Sequence, residues 1–334
     1  MADTFTQVKD IIVNLTTATA AGSIGLGNPL VITGKAETAV AYTECNSLAD
    51  VLAAGFAAET EVYKACAMIF AQKNKPNKIA VCAATEKVGE WLAANPDKDY
   101  RQVVPVLGAE DSTVAELVTA VSALENKMLF ATVKTKDEMP ATQSERVVMV
   151  VYNGATAYPN AAVVGASAGL AAGSFTYKNL ILTSVEPEEL GAAKVEEIHD
   201  AGGMCIIKKA GDIVTSEGMT TDGEYIDIVD SKDYIISNIV YQGQRLLNDN
   251  LKITYDNVGI TQLEAVVTDV LADAYRNGII ASNEDGTPAY ATAFAPRSET
   301  TASDRAARTY NGGSFTFDLA GAIHNATING TLVI

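Results

Sequence analysis

Apolar and polar positions alternate at the two tips of the chain, and between them they recur mostly with helical spacing. Near the start, Ile11, Val13 and Leu15 share one face of an extended segment, with Ile12 and Asn14 on the other. Near the end, Phe315, Phe317 and Leu319 alternate with Thr316, Asp318 and Ala320. Past Gly321, the chain carries Thr327 and Ile328, then Gly330, and runs out on Thr331, Leu332, Val333 and Ile334. Tips this rich in β-branched residues predict strands that need a partner, because free termini are usually polar and frayed. Residues 17–27 link the first strand to the rest through Thr, Ala, Gly and Ser, too small to anchor a core. Two arrangements satisfy this pattern. Either both tips close the chain's own sheet, or they add to sheets of other copies, since twenty extended residues reach roughly 60 Å at about 3.3 Å each.

From residue 30 the pattern becomes blocks of strand and helix. Residues 30–33 predict a strand, and Ser47 caps a helix with Leu48, Val51, Leu52 and Phe56 on its apolar face. A second helix carries Val62, Ala65, Cys66, Ile69 and Phe70 at i, i+3, i+4, i+7 and i+8, and Pro76 stops it. Strands are expected over 78–83, 102–107, 128–133 and 147–152, with helices over 86–94 and after Thr113, whose capping box with Glu116 precedes Leu117, Val118 and Val121. Residues 159–172 predict a close-packed helix of small residues, and 176–183 a returning strand. Pro187 opens an acidic helix that Gly202 and Gly203 close, and strands are expected over 204–208 and 225–229. A long helix over 231–247 turns Ile235, Ile236, Ile239, Val240 and Leu246 inward. Thr261 and Glu264 form a second capping box, for a helix carrying Val266, Val267, Val270, Leu271 and Ala274 and ended by Gly278. Residues 281–303 read as a polar loop. The expected fold is therefore an α/β sandwich over 21–184 followed by an α+β domain over 185–334, with 1–20 as an arm.

Composition narrows the function more than the fold. At 334 residues, 48% apolar and 19% charged, the chain is long enough for two folded domains. Its net charge of −17 argues against nucleic acid or an anionic membrane as partner, and no apolar run is long enough to span a bilayer. The first ten residues carry acids and no apolar core, so no signal peptide is expected. Cys45, Cys66, Cys82 and Cys205 lack C-x-x-C spacing and fall on apolar stripes, which reads as buried thiols in a reducing cytoplasm. The two histidines, His199 and His324, are too few and too far apart for a metal or catalytic cluster. The glycine clusters at Gly22, Gly25 and Gly27 and at Gly165, Gly169 and Gly173 match neither G-x-G-x-x-G nor a Walker loop. Glu188, Glu189, Glu196 and Glu197 form a solvated acidic face. No nucleophile elbow is present, so no catalytic, cofactor-binding or metal-binding residue is expected.

Four segments nevertheless resemble the tail sheath proteins of contractile-tailed bacteriophages and related particles. They are residues 42–81, with Tyr42, Asn46, Tyr63 and Pro76; residues 159–180, with Pro159, Gly165 and Tyr177; the helix 266–276 with its Gly278 exit; and residues 305–334, from Arg305 and Arg308 through Phe315, Phe317 and His324. The resemblance implies a structural subunit and no enzyme. Such subunits form a helical homo-oligomer of stacked six-membered rings around a tail tube, with baseplate and tail terminator proteins as further partners. The sheath contracts without nucleotide and drives the tube through a cell envelope. The implied location is a virion or phage-tail-like particle (phage, tailocin or contractile injection system) assembled in the bacterial host cytoplasm. It also implies strand exchange between subunits through Ile11, Ile12, Val13, Asn14 and Leu15 at one tip and Thr327, Ile328, Thr331, Leu332, Val333 and Ile334 at the other. Arg297, Arg305 and Arg308, where basic residues gather, become the candidates to face the tube. The competing reading is a soluble α/β small-molecule enzyme or binding protein.

Overall fold

A computed structural model describes residues 26–328, 330 and 332. Strands β1 (Asn28–Thr33), β2 (Val40–Cys45), β3 (Ile79–Ala83), β4 (Tyr100–Pro105), β5 (Met128–Val133), β6 (Val147–Val151) and β7 (Gly203–Met204) make one sheet in the order β2-β3-β1-β4-β5-β6-β7. All neighbours are parallel except β2 and β3. Strands β3 and β6 are buried along their whole length, as apolar runs are when both faces of a parallel sheet are covered.

Side-chain alternation divides the strands between two cores. Val31, Val81 and Val104 face helices α1 (Leu48–Ala53) and α2 (Glu61–Phe70) and the later α5 (Pro159–Ser167). Leu30, Ile32, Ala80 and Val103 face α3 (Val88–Ala94), α4 (Val114–Ser122) and α6 (Ala192–Asp200). Ser47 and Thr60 cap α1 and α2 through their hydroxyls. The capping box of α4 forms as its sequence requires: the Glu116 N–H donates to Thr113 Oγ1 at 3.2 Å, and the Thr113 N–H donates to Glu116 Oε2 at 2.8 Å.

Helices α2 and α5 cross where Gly165 has no side chain. A Cβ there would lie 2.5 Å from the Ile69 carbonyl oxygen and 2.7 Å from its Cα. Gly165→Ala should therefore destabilise the subunit by about 1–3 kcal/mol through overpacking, although alanine is the better helix former. Chemical denaturation checks this, and a gain in stability would show that the two helices can part freely.

Beyond residue 170 the structure departs from the sequence pattern in several places. Residues 176–183 do not form a strand, since Asn179 takes a left-handed φ of 61° and Ser184 one of 62°. The Gln72 side chain instead holds the backbone of Thr183 in both directions, at 2.8 Å each. The strand expected over 204–208 is split between β7 and β8 (Ile206–Lys209), and β8 pairs with β9 (Asp212–Thr215) in a separate two-stranded sheet. The acidic helix begins at Ala192, after Gly191, not at Pro187. Of the strand expected over 225–229, Tyr225 caps helix α7 (Ile226–Asp249) and the rest belongs to it, with Ile226 and Val229 sharing one buried face. Helix α8 (Asn257–Arg276) starts one turn earlier than expected, because Asp256 accepts the Gly259 N–H at 3.0 Å and takes the cap. Thr261 and Glu264 lie inside α8, and Glu264 accepts a hydrogen bond from Thr292 at 3.0 Å.

The first core does not stop at residue 184, since β7, Ile206, Ile226 and Val229 all belong to it. A third core joins α7 and α8 through Tyr234, Ile235, Val267, Val270, Leu271 and Ala274. Because α8 covers only one side of α7, Ile236 and Val240 face outward and not inward. Strand β10 (Tyr290–Phe294) and helix α9 (Ala302–Ala307) occupy the stretch expected to be loop, and β11 (Gly313–Phe317) pairs antiparallel with β10. Their partly buried Tyr290, Phe294 and Phe317 pack on the third core.

Candidate functional site

Reactive side chains in the described residues are mostly turned inward. His199 Nε2 lies 2.8 Å from Ser216 Oγ, but that hydroxyl is fully buried and accepts the Cys205 N–H at 2.9 Å. Burial lowers the His199 pKa, and this closed pair gives no nucleophile a substrate can reach. All four cysteines are free and buried, and desolvation pushes the thiols of Cys66, Cys82 and Cys205 up, away from thiolate chemistry. Among the described residues no group of three or more His, Cys, Asp or Glu is placed to hold a metal, and no helix is long and apolar enough to cross a membrane. The carboxyl ends of β4, β5 and β6 open onto a groove of about 690 Å³ lined by Pro105, Leu107, Thr132, Tyr152 and Asn160. Asn160 there donates to the Phe130 carbonyl at 2.8 Å, which ties α5 to the sheet.

The more distinctive surface is the β10–β11 pair. Its register sets Tyr290 opposite Phe317 and Thr292 opposite Phe315. Among the described residues neither strand has a second neighbour, so both outer edges present unpaired backbone groups. One face rests on the third core, while Phe315 remains partly exposed and stacks on Phe317. Two strands alone are marginal in water. This sheet is therefore held by α8 beneath it and is open to strand addition on either side.

The chain that follows β11 is attached for three residues more. Leu319 bridges Ile280, and the Ala320 N–H donates to the Ile279 carbonyl at 2.9 Å. Gly321 then turns the chain with a φ of +63°. Residues 321–328 form no regular element, and Ile323, Ile328 and Leu332 are 91%, 92% and 87% exposed. Thr327, Ile328 and Leu332 are thus presented to solvent, whereas Thr331, Val333, Ile334 and the other tip, Ile11, Ile12, Val13, Asn14 and Leu15, lie outside the described residues.

The three arginines stand on one unit but do not converge on one point. Arg297 Nε donates to the Tyr255 carbonyl at 3.0 Å, and Arg305 Nη1 donates to Thr300. Arg305 and Arg308 border a groove of about 650 Å³ with Leu247, Leu251, Tyr255 and Tyr310, a lining that excludes Arg297. Arg305 is half-buried, while Arg297 and Arg308 are exposed; after the bond from the Gly259 N–H, the Arg297 charge also helps hold the nearby Asp256 carboxyl below the ordinary range.

Sequence reasoning missed the polar joint beneath α7. Arg101 of β4 is 1% exposed, and its guanidinium reaches Asp230 Oδ1 at 2.5 Å and Asp233 Oδ2 at 2.6 Å. Arg146 also pairs with Asp233, and the Tyr177 hydroxyl donates to Asp230 Oδ2 at 3.0 Å. The available signal was an arginine at the start of a strand, together with two aspartates three apart, Asp230 and Asp233.

No protein-family model matches the sequence, and no curated protein matches it. Solved structures do match, along almost the whole chain. The helical sheath of the anti-feeding prophage in its contracted state superposes with a TM-score of 0.69 at 15% identity, covering 99% of each chain. The sheath complex of PVC, an extracellular contractile injection system, also contracted, gives 0.71 at 13% identity over 98% of each. The chain has the fold of a contractile sheath protein. A sheath tail protein from Desulfitobacterium hafniense shares the sheath fold more loosely, with a TM-score of 0.60 at 10% identity over 84% of this chain and 92% of that one. Within the sheath fold, the α/β layers form the larger body, and α7, α8 and the β10–β11 pair form the unit that carries the open edges.

Proposed function

We propose that this chain is the structural subunit of a contractile sheath, polymerising as stacked six-membered rings around a tail tube and shortening to drive that tube through a cell envelope. The observation that carries the reading is the end-to-end match to sheath chains, in which neither protein has a large part without a counterpart. The open β10–β11 edges and the apolar, exposed terminal segment support it, because both are costly in an isolated molecule and useful in a polymer. In this reading residues 1–20 are an arm, and Ile11–Leu15 and 327–334 add to the sheets of neighbouring copies. The link 17–27, Gly321 and Gly330 absorb the motion between subunits. Arg297, Arg305 and Arg308 face the tube, whose contact has to orient without gripping, a task suited to surface charge. Baseplate and terminator proteins cap the two ends. The particle assembles in the host cytoplasm, and no cofactor, nucleic acid or membrane insertion takes part.

Negative-stain microscopy of the purified chain tests the reading. Tubes or stacked rings are expected as concentration rises. Discrete particles of one subunit's size at every concentration would overturn it.

A further inference from the structure

His324 is the one side chain between Gly321 and Ile328 that turns inward, only 10% exposed in a stretch otherwise facing solvent. Its neighbours come from three separated parts of the chain. Nε2 lies 2.9 Å from Thr176 Oγ1, in the segment after α5. The ring packs edge-on against Tyr225, the residue that caps α7, with centroids 4.8 Å apart at 88°. Nδ1 points at Glu217 Oε1, 3.6 Å away, just after β9. Glu217 is itself paired with Lys178 at 2.9 Å; burial opposes its charge, yet the bonds from Lys178 and from the Gly218 N–H hold its carboxyl below the ordinary range. Asp227 Oδ1 on α7 and His324 Nδ1 are both buried without a hydrogen bond, so the seat is polar but incompletely filled.

Among the described residues after Ala320, no other hydrogen bond ties the terminal segment to the body. Gly321 frees the backbone, and Ile323 and Ile328 are almost wholly exposed. A free tail of this kind samples many directions, and ordering each residue at the moment of pairing opposes association. An anchor partway along removes part of that cost before a partner arrives.

We propose that His324 is a positioning residue for assembly: its ring clasps the terminal segment to Thr176 and Tyr225, so that the apolar residues from Thr327 onward leave the subunit from a fixed point and in a fixed direction. The inference rests on the reading that residues 327–334 add to a neighbour's sheet, and it identifies what aims them.

The test uses the full chain below and above its assembly threshold. In the unassembled subunit, His324→Ala should speed amide exchange over 321–325 while leaving the thermal midpoint unchanged. It should raise the concentration needed for tube formation by about tenfold, the equivalent of one lost contact of ordinary strength. Thr176→Val should reproduce this, and His324→Gln, whose amide can still reach Thr176, should restore most of the wild-type threshold. Unchanged exchange and an unchanged threshold in His324→Ala would overturn the clasp. So would a threshold that rises only together with a fall in the thermal midpoint and is not rescued by glutamine, which would mark a merely structural role. A chain lacking residues 327–334 separates the two ideas. If it builds normal tubes, strand addition fails as a reading, while the exchange rates of the unassembled His324→Ala subunit still judge whether the ring holds the segment.

Discussion

Replacing Arg101 by alanine should remove roughly 3–5 kcal/mol of unfolding free energy, the cost of leaving a buried charge without its partner. The guanidinium lies between the sheet and α7, donating through Nε and Nη2 to Asp230 Oδ1 and through Nη1 to Asp233 Oδ2 and the Asn126 carbonyl. Removing it leaves Asp233 with Arg146, but leaves Asp230 with only the Tyr177 hydroxyl. The Tyr177 pKa is already raised well above the ordinary phenol range by burial and then by Asp230, so it donates a hydrogen bond but cannot balance the charge. Removing both partners, as in Arg101→Met with Asp230→Leu, should recover most of the loss, because two apolar groups of similar volume leave no charge stranded. Urea unfolding of the single and double variants measures this. A single variant within about 1 kcal/mol of wild type would mean that the network does not fasten α7 to the sheet. The consequence reaches function, since α7 contributes to both the first and third cores, and the open β10–β11 pair sits on the third. A loosened α7 should therefore disorder the polymerising surface before the larger body unfolds.

Deleting residues 327–334 should abolish tube formation while leaving a folded subunit. Thr327, Ile328 and Leu332 are exposed and contribute to none of the three cores, so thermal unfolding should shift by no more than about 1 °C. What the deletion removes is pairing potential. A strand of eight residues offers several ladder bonds of about 1 kcal/mol net each, made once per subunit and acting together along the polymer. The edge that would receive a strand is present on every copy, because β10 and β11 have no other neighbour among the described residues. Electron microscopy at matched concentration gives the outcome, and normal tubes from the shortened chain would sink the strand-addition reading. Deleting residues 1–17, or placing proline at Val13 where a ladder donor is needed, should act through the opposite tip in the same way.

Both predictions concern parts of the molecule that the sequence revealed to different degrees. Apart from β2, an edge strand the sequence reading did not expect, the alternating strands and helices through residue 167 were legible because their signals are local. Val62, Ala65, Cys66 and Ile69 fall on one helical face whatever surrounds them, and Thr113 with Glu116 closes its own helix start. At the C-terminal tip the sequence pattern suggested a strand, whereas residues 321–328 form no regular element and Ile323, Ile328 and Leu332 are exposed. After residue 170 the decisive contacts span long separations and leave no periodic trace. Gln72 holds Thr183 across more than a hundred residues, whereas the cap of α8 is a local signal that the Thr261–Glu264 pair masked, Asp256 accepting the Gly259 N–H three residues on. Strand β7 joins the sheet with two residues, too short for any pattern to mark. Arg101 fell just before the strand expected over 102–107, and only the fold brings Asp230 and Asp233 to it. His324 read as an isolated histidine for the same reason: its identity is in the sequence, but Thr176, Tyr225 and Glu217 meet it only once three distant segments have packed together.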